Sequence, residues 1–291
     1  MTNKIGFYCD DNNEVNENIE TIAVEKPEMK ARKSLVSVRF EKNNRVLSYY
    51  NDKFDLHKGD IVFVDGKLEG ERGFVEEVNY NFKIKLSDYK KVVALADTTV
   101  KGEFFFAGDY FISFDESVIP YEKVITWFKP PFNDEEEIVV SDEDEEGFLL
   151  EKDISELKVP YNVKEKGIDY YLDGRVIYLS VAGNMGKAIV DGTNIYEIEF
   201  TYKNGEVSNF ICDCYCNYAC KHIVAVIMQL KNIVKTIEEN YKEQYQDYFS
   251  AVTSYELFKV TRSYGKKVVL ILINSFINFI ISDTLKSLTN K

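Results

Sequence analysis

Histidine and tryptophan are scarce in this sequence of 291 residues, and the motifs of several enzyme classes are missing. The chain has two histidines, one tryptophan and five cysteines. It contains neither a His-Glu-x-x-His pattern nor a His-x-Glu…Pro-Cys-x-x-Cys pattern, which argues against zinc-protease and zinc-deaminase chemistry. No Gly-x-x-x-x-Gly-Lys-Ser/Thr loop occurs, so the sequence carries no P-loop ATPase.

Long apolar runs are also missing, and the first residues do not predict a signal peptide. The most apolar stretch, residues 268–281, is shorter than the roughly 20 residues that span a bilayer. The start of the chain, Met1–Phe7, lacks the basic residues and apolar core of a signal peptide. We therefore expect a cytoplasmic protein, in whose reducing compartment clustered cysteines bind metal more often than they form disulfides.

The few cysteines are concentrated in one short stretch. Four of the five, and one of the two histidines, fall within residues 212–222: Cys212, Cys214, Cys216, Cys220 and His222. Thiolates combined with an imidazole suit a tetrahedral Zn²⁺ ion. The fifth cysteine, Cys9, is isolated and is interpreted as an inert free thiol. We predict a metal site at 212–222.

Two ligand sets are compatible with this spacing. The first two ligands are either Cys212 and Cys214 or Cys214 and Cys216, and the other two are Cys220 and His222. The first choice leaves a longer loop, residues 215–219, in which the chain reverses more easily. We prefer Cys212, Cys214, Cys220 and His222, with Cys216 as a spare thiol, and replacement of Cys212 by Cys216 stays open.

The sequence does not favour catalysis at this site. A catalytic zinc keeps one coordination position open for water and needs a base nearby. Four protein ligands are available in one stretch, and Asp213 is the only carboxylate among them. The second histidine, His57, is distant in sequence. We therefore expect a structural site in a protein that is not an enzyme.

Negative charge is confined largely to one segment. The formal net charge is -13, and residues 133–157 hold twelve carboxylates against one lysine. Together with Pro130 and Pro131, which interrupt regular structure, this block predicts an acidic linker over 131–150. An interaction tail for a basic partner is the alternative. The metal region is nearly neutral and neither attracts nor repels phosphate strongly.

The part before the linker is rich in predicted strands. Residues 1–34 show no lasting periodicity and are interpreted as a poorly ordered lead-in. Alternating apolar residues separated by turn residues predict strands at 36–40, 45–50, 56–66, 71–78, 92–96, 102–106, 109–114 and 123–128. Such strands favour a small barrel over 35–130, similar to SH3-like or OB-like barrels. Its aromatic residues, such as Trp127, are expected to fill the core rather than stack on single-stranded nucleic acid.

The part after the linker combines a meander and a helix. Strands are predicted at 175–181, 187–190, 196–202 and 207–212, separated by turns such as Asp191-Gly192. Apolar residues at steps of three and four predict a helix over 222–237. A polar, tyrosine-rich helix is expected over 238–262. Residues 268–281 are interpreted as a buried or partner-docking helix, with a membrane-surface anchor as the alternative.

The cysteine cluster and its surroundings resemble the SWIM zinc finger. That family has Cys-x-Cys, a variable loop and Cys-x-His, often Cys-Lys-His, preceded by a β-meander and followed by an apolar helix. The resemblance covers residues 174–235 and implies Cys212, Cys214, Cys220 and His222 as zinc ligands. It also implies binding to DNA or to other proteins, since SWIM modules often accompany helicase-like ATPases or transposases.

Together these patterns predict an α+β protein. The expected layout is a lead-in (1–34), a small-barrel-like domain (35–130), an acidic linker (131–150), a SWIM-like zinc domain (151–240) and a C-terminal helical segment (241–291). The predicted function is that of a zinc-binding, non-enzymatic adaptor or regulatory protein that contacts protein or nucleic-acid partners through the SWIM-like module. A protein partner is expected, with a helicase-like ATPase as one candidate. The alternatives are a DNA-binding accessory factor to such an ATPase and a membrane-surface protein anchored by 268–281.

Overall fold

The computed structural model describes residues 32–131, 147–216, 219–261 and a short strand at 270–272. The chain folds into two mainly antiparallel sheets and a few helices, which confirms the predicted α+β class. Residues 1–31 of the predicted lead-in and residues 132–146 of the acidic linker lie outside the described residues. No helix in the described part of the chain is long and apolar enough to cross a membrane.

The first sheet has five strands in the order β2-β1-β4-β3-β5. Their bounds are β1 Ser34–Phe40, β2 Arg45–Asn51, β3 Ile61–Val64, β4 Gly73–Asn79 and β5 Val92–Leu95. Alternate residues of β1, including Val36, Val38 and Phe40, are buried in a core of their own, as the period of two requires. One parallel bridge between Tyr50 and Lys91 connects the two edges.

The second sheet has nine strands in the order β14-β6-β7-β13-β9-β10-β11-β12-β8. Their bounds are β6 Gly102–Ala107, β7 Tyr110–Ser113, β8 Phe148–Leu149, β9 Val176–Ala182, β10 Met185–Asp191, β11 Ile195–Lys203, β12 Glu206–Cys212, β13 Tyr248–Thr253 and β14 Leu270–Leu272. Strands from both sides of the predicted linker therefore share one sheet. The nine-stranded sheet contains strands from both the expected barrel, residues 35–130, and the expected zinc domain, residues 151–240.

Four α-helices accompany the sheets in the described residues: α1 Tyr121–Ile125, α2 Tyr161–Leu172, α3 Lys221–Asn240 and α4 Ser254–Thr261. The apolar stripe of α3 is buried in the core under β9–β12. Helix α2 crosses α3 closely at Gly167. A β-carbon there would lie 2.4 Å from the side chain of Val224 and 3.0 Å from the Lys221 carbonyl. Only glycine permits this approach.

Two local predictions were wrong. Residues 123–128 are not a strand, because α1 follows Pro120 and the chain then turns so that the buried Trp127 indole donates to the Asp97 carbonyl. The continuous polar helix expected over 238–262 is interrupted: α3 ends at Asn240, β13 follows, and only α4 near the end of this range is helical. In β13, Ser250 pairs with both Ser113 and Ser180, so tertiary pairing overrides the helical spacing.

The apolar segment 268–281 differs from the prediction where it is described. Residues Leu270–Leu272 form a strand that pairs in parallel with β6, and not a helix. The rest of this segment lies outside the described residues. Helix α2 was not predicted, because its apolar periodicity is weak and the polar residues Lys164, Glu165 and Lys166 interrupt it.

A charged cluster connects the first sheet to α4. Arg72, between β3 and β4, lies 3.2 Å from Glu256 and 3.5 Å from Glu41. Lys259 lies 2.7 Å from Glu41 and 3.5 Å from Glu256. The Glu256 side chain is only 9% exposed, so solvent screens its contacts less than those of a surface pair.

We expect Glu256→Gln to lower the free energy of unfolding by about 1–3 kcal/mol, because Arg72 and Lys259 would lose the buried carboxylate that they share. Urea denaturation would measure the loss. The control is Glu239→Gln, whose pair with Lys235 is exposed and is expected to contribute about 0–0.5 kcal/mol. Equal losses in both variants would contradict the assigned role of Glu256.

Candidate metal centre

The structure brings the four predicted ligands together at the junction of a strand and a helix. Cys212 ends β12, where it pairs with Ile198 of β11, and Cys214 lies in the bend that follows. Cys220 is the N-cap residue of α3, and His222 lies in the first helical turn. Hairpin pairing fixes the first two positions, and packing of α3 on the sheet fixes the other two.

The ligand atoms have the spacing of a tetrahedral site. The three sulfur atoms and the ring nitrogen all lie within 4.8 Å of one another. His222 Nδ1 is 3.7 Å from Cys212 Sγ and 3.6 Å from Cys220 Sγ. A tetrahedron with metal–ligand bonds of about 2.0–2.3 Å has edges of about 3.3–3.8 Å. The two nitrogen–sulfur distances lie in this range, so the group could hold a metal of this class.

The side of the imidazole that faces away from the sulfurs is held by aromatic rings. Its Nδ1 atom faces the sulfurs of Cys212 and Cys220. Its Nε2 atom is buried without a hydrogen-bond partner among the described residues. The ring of Tyr196 stacks on it at 4.1 Å between centroids, and Tyr170 contacts it at 5.5 Å. These tyrosines fix the ring plane.

The thiols differ in acidity before a metal binds. A hydrogen bond from Cys212 lowers the pKa of Cys220 to about 4, with a further contribution from His222, although burial opposes the shift. The same contact raises the pKa of Cys212, and burial raises the pKa of Cys214 to about 11. One thiolate at the N-terminus of a 20-residue helix is favoured by the helix dipole. A dication would displace the remaining thiol protons.

Cys216 lies outside the group of ligand atoms. It is exposed, and the neighbouring Tyr215 side chain is 99% exposed. The geometry therefore favours Cys212 over Cys216 as the partner of Cys214. No disulfide joins any of the four described cysteines.

The loop between Cys212 and Cys214 is fastened to the sheet through Asp213. Its carboxylate accepts from the Glu197 backbone N–H at 2.9 Å, and its own N–H donates to the Glu197 carbonyl at 3.1 Å. Lys129 donates to the Asp213 carboxylate at 2.8 Å and to the Glu197 carboxylate at 2.6 Å. Tyr121 also donates to Glu197. These contacts hold the ligand loop in place.

Sequence reasoning did not find Lys129, Glu197, Tyr170 or Tyr196 as parts of the site. Lys129 is 84 residues from Asp213 along the chain. No local pattern marks such a contact, because it depends on how α1 packs on the nine-stranded sheet. Tyr196 was recognisable only as a strand residue, although its alternation with Ile198 places both on the α3 side of β11.

We expect purified wild-type protein to carry about one metal ion per chain. Cys220→Ser and His222→Ala should each release it and destabilise the region around α3, because structural metal binding is coupled to folding. Elemental analysis and thermal melts with and without added Zn²⁺ would measure both effects. Cys216→Ser is the matched control and should retain the metal. Equal metal loss in that variant would overturn the ligand set.

Lys129→Met should weaken zinc affinity by about tenfold, the lower end of the range for residues that support metal ligands. The lysine acts through Asp213 and is partly exposed, so a larger loss is not expected. Competition with a chromogenic chelator would measure the affinity. Lys123→Met is the control, since Lys123 pairs with Asp97 instead. An unchanged affinity in Lys129→Met would contradict the fastening role.

A scan against protein-family models found no match to this chain. Searches of curated proteins and of solved structures found none either. The metal centre is therefore interpreted from its own residues and geometry.

Proposed function

We propose that residues 212–222 bind one structural Zn²⁺ and that the protein is a non-enzymatic adaptor for a protein partner. The observation that carries the proposal is the convergence of three sulfurs and one ring nitrogen within 4.8 Å. Four-coordinate sites made of Cys and His are typical of structural zinc. The SWIM resemblance agrees with this assignment, because its ligand order and its strand-then-helix setting recur here.

The donor set supports zinc over other metals. Calcium and magnesium prefer oxygen ligands, whereas thiolates and imidazole suit zinc. Iron–sulfur clusters are held mainly by four cysteines, and this group has three. A Cys₃His set with tetrahedral spacing therefore favours zinc.

The same geometry disfavours catalysis. Three cysteines and one histidine would fill a tetrahedral shell and leave no position for a reacting water. The nearest carboxylate in sequence, Asp213, is already bound to Lys129 and to the Glu197 backbone. Asp213 is therefore not placed as a general base, and the metal would only hold the end of β12 and the start of α3 together.

The surface around the proposed zinc site supports a protein partner more than DNA. Zinc would fix a loop that exposes Tyr215, and exposed aromatic residues are common anchors in protein interfaces. Lys129 is neutralised by two carboxylates, and Lys221 lies over the Tyr170 ring at 4.5 Å. The metal region is otherwise nearly neutral, so it offers little attraction to a phosphate backbone.

Cobalt substitution tests the closed shell directly. We expect the Co²⁺-loaded protein to show the visible absorption of a tetrahedral thiolate site, and this spectrum should not change when azide is added, since no position is open to it. A cobalt-substituted catalytic zinc enzyme, with three protein ligands and an open fourth position, is the positive control. A wild-type spectrum that shifts with azide would show an exchangeable position and would defeat the structural assignment.

A further inference from the structure

A groove on the outer side of α3 has not been assigned a role above. It has a volume of about 310 Å³ and lies between α3 and the segment that leads from β8 to α2. Its apolar lining comes from five side chains: Phe148, Ile154, Tyr171, Ile227 and Met228. This volume is at the lower end of the range of about 300–1,000 Å³ for ligand sites, which suits a single anchoring group.

The rim of the groove is basic although the whole chain is acidic. Lys152, Lys231 and Lys235 line it. Lys231 is positioned by donating to the Lys152 carbonyl at 2.6 Å. The one carboxylate in the lining, Asp153, accepts from the Ser155 backbone N–H at 2.8 Å and caps a short helical turn. Lys235 also lies 3.8 Å from the exposed Glu239 carboxylate, an ion pair of little strength that leaves the ammonium accessible. The lining therefore combines an apolar floor with three lysines and one carboxylate.

We propose that this groove binds an acidic peptide segment of a partner protein, with one apolar side chain in the floor and flanking carboxylates at the lysines. Lys152, Asn232 and Lys235 are exposed, so the groove is open and does not enclose a small molecule as most ligand pockets do. Charge complementarity at the rim selects acidic flanks.

A nucleic acid suits the groove less well than a short acidic peptide. Charges further than about 8 Å apart are largely screened at physiological salt, so a peptide confined to the groove is affected mainly by the three lysines and Asp153 of the lining. A phosphate backbone needs a longer row of cations than these three lysines provide. The inference rests on the proposed adaptor role and specifies the partner.

The test uses the full chain, loaded with zinc, to select from a phage-displayed library of random dodecapeptides. The expected result is enrichment of sequences with one large apolar residue flanked by Asp and Glu. A synthetic, fluorescein-labelled copy of the most enriched peptide should bind in an anisotropy titration. The double variant Lys152→Glu/Lys235→Glu should weaken it by about tenfold, since each rim charge contributes modestly. The matched control, Lys53→Glu/Lys67→Glu on the five-stranded sheet, should bind as wild type.

Several results would overturn the inference. These are enrichment without an acidic preference, no enrichment at all, or equal binding by the two double variants. Displacement of the peptide by single-stranded DNA, with DNA binding lost in Lys152→Glu/Lys235→Glu, would assign the groove to nucleic acid. A further outcome is that acidic peptides are enriched only with a variant in which residues 134–146 are replaced by a Gly-Ser linker. That result would assign the groove to the chain's own acidic segment.

The metal content of the same preparation separates this inference from the proposed function. A zinc-loaded protein without an acidic preference would refute the groove alone. The opposite result is a protein that cannot be loaded with zinc but selects acidic peptides, whose binding is lost in Lys152→Glu/Lys235→Glu. It would refute the metal assignment and support the peptide site in the groove.

Discussion

The convergence of the end of β12 and the start of α3 on one point is the constraint on which the metal centre depends. Pairing with β11 fixes the strand end, and the buried stripe of α3 fixes the helix start. Close packing at Gly167 then brings α2 against the same helix turn, so that Tyr170 reaches the His222 ring. A metal bound here would lock an arrangement that backbone pairing and apolar burial already specify. Its binding free energy would therefore add to folding rather than oppose it.

The features predictable from sequence are those encoded by short-range patterns. The hairpins of β9–β12 follow from alternating residues between turns such as Asp191-Gly192. The helix α3 follows from its apolar stripe, and the spacing of Cys and His led to the four residues that the structure brings together. In each case the determining residues lie within a few positions of one another, so no knowledge of the tertiary structure is needed.

The features that were missed depend on contacts between distant residues. Strand β13 lies between β7 and β9, and Ser250 pairs with Ser113 and Ser180, which are far from it in sequence. The same pairing joins strands from both sides of the acidic block into one sheet, although the local charge pattern indicated a boundary there. Lys129 reaches the ligand loop only because that sheet is continuous. A local pattern carries no information on such pairings, and tertiary contacts override propensity.

Helices α2 and α3 connect the metal centre to the groove. On α2, Tyr170 contacts His222, while its neighbour Tyr171 lines the groove. On α3, Lys231 follows His222 by nine residues, which corresponds to about 13.5 Å along a helix. The two sites do not share a residue, so any coupling between them must pass through the packing of these helices. Because coupling free energies are reciprocal, a peptide that tightens this packing would strengthen metal binding by the same factor by which a bound metal would strengthen peptide binding.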